Sequence, residues 1–103
     1  MISVIHWDGS SDTNENADSF SALFDELQTS DREHGDVSVV HEESGWSLSA
    51  HRDGRMIFEN LSSGGQRHIR FASKERIIEL WILLLNDDVD AILSEPWLPG
   101  YGS

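Results

Sequence analysis

The sequence predicts an α+β domain, with an antiparallel sheet of about four to five strands and two main helices packed on one face. Three observations lead there. Trp46, Leu48 and Ala50 alternate with Ser47, Ser49 and His51, the period of a strand with one wet face, and Asp53-Gly54 then Met56-Ile57-Phe58 complete a hairpin. Phe20, Leu23, Phe24 and Leu27 fall at i, i+3, i+4 and i+7, the spacing of one helical face. The order of elements runs strand, helix, four strands, helix, which suits an antiparallel sheet better than a parallel one.

Taken in order, Ile2 to Trp7 reads as a strand stopped by Asp8-Gly9-Ser10. Residues 10–18 are polar and acidic without a hydrophobic period and read as an exposed loop. Asp18 or Ser19 suits the cap of the first helix, and Thr29 to Asp36 reads as a polar connector with Gly35 as the stop. Val37, Val39 and Val40 begin a strand closed by Glu42-Glu43-Ser44-Gly45. In the next hairpin a two-residue Asp53-Gly54 turn would pair Ala50 with Ile57 and split the apolar face. A three-residue turn, with Gly54 left-handed, pairs Ala50 with Met56 and Leu48 with Phe58, and so unites Trp46, Leu48, Ala50, Met56 and Phe58. The second register is expected. Ser63-Gly64-Gly65 reads as a turn and His68 to Phe71 as a short strand. Ser73 caps the second helix, whose residues 77–85 are so apolar that most sides need cover; Asn86-Asp87-Asp88 interrupts it and Pro96 ends the last helical turn.

At 103 residues the chain has room for one core, so residues 1–103 are expected to form one domain. Its charge is uneven. Residues 1–44 hold eleven acids and one base, Arg32, whereas residues 45–103 hold eight acids and six bases, within a net charge of −12. Such a field repels nucleic acid and anionic membrane and speeds encounter with a basic partner; it also serves solubility alone. With no cysteine, neither a disulfide scaffold nor a thiolate metal site can form. The sequence opens on no leader-like segment, and its longest apolar run is far below the ~18 residues of a membrane span. A cytoplasmic protein without membrane or nucleic-acid partners is expected.

The chemistry-bearing residues form no reactive constellation. His41-Glu42-Glu43 has no second histidine four residues on, Gly45-Trp46-Ser47-Leu48-Ser49 fails the Gly-x-Ser-x-Gly pattern at its last position, and Ser63-Gly64-Gly65-Gln66 lacks a lysine and a following helix. His6 and Asp8 share a strand face and could hold a metal, but an ordinary surface pair explains them as well. No catalytic residue, metal site or cofactor is assigned, and no enzyme is expected. Of four tryptophans, Trp46 and Trp81 belong to the core pattern. Trp7 sits beside Asp8, and Trp97 lies in the tail Pro96-Trp97-Leu98-Pro99, where it either seals the core edge or is presented to a partner.

From Trp46 to Trp97 the chain resembles the small immunity proteins of bacterial polymorphic and contact-dependent toxin systems. The resemblance lies in the strand pair around Arg52-Asp53-Gly54, the short strand ending at Phe71, the capped apolar helix and the Pro96-Trp97 tail. It implies an antitoxin that covers the active site of a cognate, basic toxin domain or locks it inactive. On that reading Asp8, Asp12, Glu15, Asp31, Glu33, Asp36, Glu42 and Glu43 face the toxin, with Trp7 as the aromatic anchor. Alternatives are an adaptor or effector chaperone, a self-associating module that buries its second helix, and a nucleic-acid mimic. The protein itself would be a monomer or a homodimer.

Overall fold

A computed structural model of the chain describes residues 2–13, 17–28, 36–70 and 72–100. Among the described residues seven antiparallel strands form one sheet: β1 (Ile2–Ile5), β2 (Ser11–Thr13), β3 (Asp36–His41), β4 (Trp46–His51), β5 (Met56–Asn60), β6 (Gly64–Ile69) and β7 (Leu98–Pro99). Their order across the sheet is β2-β1-β3-β4-β5-β6-β7. Three helices accompany them: α1 (Phe20–Asp25) with a turn of 3-10 helix on either side, α2 (Lys74–Leu85) and α3 (Val89–Leu93).

The fold class is the expected one, but the strand count of four to five is too low. Both extra strands lie at the edges. Ser11–Thr13 and Leu98–Pro99 are exposed throughout and are held by backbone pairing on one side only, so no buried side chain leaves an alternation to read. The loop expected over residues 10–18 therefore contains a strand. Residues 29–35 of the expected connector lie outside the described residues.

The β4–β5 hairpin has the three-residue turn. Ala50 pairs with Met56, Leu48 with Phe58 and Trp46 with Asn60, while Gly54 takes φ +90°. The next turn is displaced from the expected one. Asn60 accepts hydrogen bonds at Oδ1 from the N–H groups of Ser62 (2.9 Å) and Ser63 (3.1 Å), so the turn closes at residues 61–63. Gly64 and Gly65 then open β6 at φ +80° and +75°, beside a register shift between Phe58 and Asn60.

Alternation sends Ile2, Val4, Val37, Val39, Leu48, Ala50, Met56 and Phe58 to one face, where they form one core with Phe20, Leu23, Leu27, Ile77, Leu80, Trp81, Leu84 and Ile92 of the helices. Trp81 is completely buried, and its indole N–H donates to the Leu48 carbonyl at 2.9 Å. Ser73 caps α2 as expected, accepting from the Arg76 N–H. Ser19 stands at the cap of α1 but makes no side-chain capping bond. The opposite face mixes the buried Val40 and Ile57 with Ser3, Ser38, Ser47 and Ser49, and the Ser38 and Ser49 hydroxyls lie 2.8 Å apart.

Candidate protein interface

The sheet has two ends that matter for the charged residues. At one end β1 stops and α2 begins; at the other lie the β3–β4 turn and the C-terminus of α2. β1 stops at Ile5 because the chain folds back on itself. The His6 N–H donates to the Ser10 carbonyl (2.8 Å), the Gly9 N–H to the His6 carbonyl (2.9 Å), and Gly9 takes φ +87°. Asp8 closes this loop by accepting from the Ser10 hydroxyl (2.6 Å) and N–H (3.0 Å). Those two bonds hold its carboxyl below the ordinary carboxylate range.

His6 does not share Asp8 as a metal pair would require. Its Nε2 lies 2.6 Å from Asp12 Oδ2 on β2, and its Nδ1 2.7 Å from Glu26 Oε2 at the end of α1. The hydrogen bond to Asp12 raises the imidazole pKa above 6.5; partial burial opposes the shift and Glu26 adds to it. With both nitrogens against carboxylates, the imidazolium donates twice and ties the edge strand to the helix. Glu26 also accepts from the Trp7 N–H at 3.4 Å, while the Trp7 ring packs half-buried against the core. Beside Glu26, Asp25 pairs with Lys74 at 3.2 Å.

This end therefore gathers Trp7, Asp8 and Asp12, and adds Asp25 and Glu26, which sequence reasoning passed over. No spacing links His6 to a carboxylate twenty residues on; only the packing of α1 against β1 does. The remaining expected acids are elsewhere. Asp36 is at the same end but on the opposite face, across from His51. There burial, and then the Arg55 guanidinium 3.3 Å away, lower the His51 pKa, with Asp36 and Asp53 opposing. Glu42 and Glu43 sit in the β3–β4 turn, about 20 Å from Asp36 at ~3.3 Å per strand residue. The expected acidic surface is thus not one patch among the described residues. Glu15, Asp31 and Glu33 lie outside them.

At the far end His41 accepts at Nδ1 from the Ser44 N–H (3.3 Å) and lies 2.8 Å from its hydroxyl, leaving Nε2 toward Glu43 and Asp87, each 3.8 Å away. A serine, a histidine and an aspartate thus meet, but 3.8 Å is beyond hydrogen-bond reach, so Asp87 does not hold the imidazole as the carboxylate of a catalytic triad does. The serine closes its own turn, lying 3.4 Å from the Trp46 N–H. Trp46, Phe58 and Trp97 form a stack, with ring centroids 4.5 and 5.6 Å apart. The Trp97 indole N–H donates to the Ile92 carbonyl at 2.7 Å, so the tail folds back and this ring seals the core edge.

No group of three or more histidine, aspartate or glutamate side chains among the described residues is arranged to hold a metal ion. No helix among them is long and apolar enough to cross a membrane. Comparison with protein-family models, curated proteins and solved structures finds no match.

Proposed function

We propose that the protein is an immunity-type inhibitor that neutralises a cognate toxin domain through the Trp7 end of its sheet. One observation carries this reading. The carboxylates of Asp8 and Asp12 lie exposed beside a half-buried tryptophan, and the loop and edge strand that bear them are held to α1 by the His6 bridge. An aromatic anchor ringed by carboxylates on a braced surface suits a basic cleft: charge speeds the encounter and the buried contacts hold the complex. On this reading the interface comprises Trp7, Asp8 and Asp12, joined by Asp25 and Glu26.

Growth rescue tests the reading. A candidate toxin domain from a gene neighbouring that of this chain is expressed in a sensitive host with either the parent or a variant inhibitor. The parent restores growth, Asp8→Lys with Asp12→Lys does not, and Glu42→Lys with Glu43→Lys still does. With purified proteins, the first double variant slows association about tenfold at low salt and less at high salt. Rescue by the Asp8/Asp12 variant at equal expression and equal thermal stability would remove the Trp7 end from the interface. Failure of the parent to rescue would remove the inhibitor reading itself.

A further inference from the structure

The opposite edge of the sheet carries a cleft that the acidic surface does not use. Its volume is about 490 Å³, and it lies between the β6–β7 pair and the Glu95–Trp97 connector that follows α3. That volume falls in the range of small-molecule sites, roughly 300–1,000 Å³. Leu93, 36% exposed, is one of the four large apolar side chains left exposed among the described residues, and it lines the cleft. Pro96, Pro99 and Trp97 extend the apolar wall. The wall is firm, because Trp97 is fixed both by its bond to the Ile92 carbonyl and by its stack on Phe58.

The polar side of the cleft is Arg67. Its guanidinium lies 5.9 Å from the centre of the Trp46 ring, and its Nε–H donates to the Gly65 carbonyl at 3.3 Å. Among the described residues no carboxylate pairs with it, and the one carboxylate at the cleft, Glu95, is already bound by Arg76. In a chain of net charge −12, a half-buried cation left without a carboxylate beside an apolar wall is matched to an anion that brings its own apolar body. One planar guanidinium fits one carboxylate fork; a dianion such as a phosphate would need further cations to overcome the surrounding field. We propose that this cleft binds a small apolar carboxylate, with its hydrocarbon or aryl body against Leu93, Pro96 and Pro99 and its carboxylate on Arg67.

Two-dimensional 15N–1H spectra of the full chain, titrated with 4-phenylbutyrate and separately with uncharged 4-phenylbutanamide, test this. Saturable shifts are expected at the Gly65, Arg67 and Leu98 amides and the Trp97 indole N–H, with the carboxylate bound about tenfold tighter than the amide. Arg67→Gln brings the carboxylate down to the affinity of the amide, whereas Leu93→Ser weakens both. Asp8→Lys leaves both ligands unaffected. Absence of saturation, equal affinity for acid and amide, or an Arg67→Gln protein that folds and binds the acid as before would each overturn the proposal. None of these results bears on the Trp7 end.

Discussion

At His6 a single imidazole meets two carboxylates, Asp12 at 2.6 Å and Glu26 at 2.7 Å, and both favour its charged form. At His51 burial and Arg55 favour the neutral form. The two residues therefore act on stability with opposite signs. His6, raised above 6.5 in the folded chain, contributes fully below that pH, and its contribution is lost as pH rises through the folded value. His51, lowered below 6.5, contributes fully above it, and its contribution is lost as pH falls through the window beneath. Melting temperatures from about pH 5 to about pH 8 should show His6→Gln flattening the alkaline limb and His51→Gln the acid limb. A histidine resonance at His6 that titrates at or below 6.5 would refute the bridge. Trp81 presents a different case, since its indole N–H serves the Leu48 carbonyl inside the core. Trp81→Phe removes that donor and leaves a void, at a cost of about 2 kcal/mol read from denaturant unfolding. A change of a few tenths would mean that neither loss is felt.

α2 ends in a way its sequence only half announces. Asn86 is the C-cap, and Asp87 follows at φ +58°, the left-handed conformation usually given to glycine. The Asp87 N–H bonds the Leu84 carbonyl (3.0 Å) and the Asp88 N–H the Leu83 carbonyl (2.8 Å), the doubled closure of a Schellman turn. An aspartate there bears both the backbone strain and a negative charge beside the negative end of the helix. Asp87→Gly should raise stability by about 1 kcal/mol, or about 5 °C in Tm, and Asp87→Asn by less, because only the charge is relieved. A drop in Tm for Asp87→Gly would show that its approach to His41 matters more than the strain. At this scale the sequence was readable wherever a side chain reports its own burial. The register of β4 on β5 follows from five apolar residues seeking one face, and Ser73 marks the start of α2. β2 and β7 were not readable, because backbone bonds alone hold them. Nor was the shift of the 61–63 turn, which depends on where the Asn60 amide points. The candidate interface was legible in part: Trp7, Asp8 and Asp12 are near in sequence and stay near in space, whereas Asp25 and Glu26 join them only through the docking of α1.

For the molecule entire, a net charge of −12 means that self-repulsion opposes compaction. Raising sodium chloride from about 20 mM to about 300 mM shortens the screening length and should raise Tm; a fall would mean that local pairs such as Lys74–Asp25 outweigh the general field. The strand order also has a temporal meaning. From β3 to β6 each strand pairs with the next along the chain, so these contacts close over short loops. β1, by contrast, must find β3 across more than thirty residues, Ile2 opposite His41, and only then can the Asp12–His6–Glu26 bridge form between β2 and α1. The central meander should therefore assemble first, with the N-terminal strand pair added late, and amide protons of Val4 and Thr13 should exchange sooner than those of Leu48 and Phe58. The surface proposed to face a partner is then the part of the molecule that closes last and opens first. A toxin seated on Trp7 and Asp12 would act as a clasp on that opening, and the bound inhibitor should outlast the free one under protease.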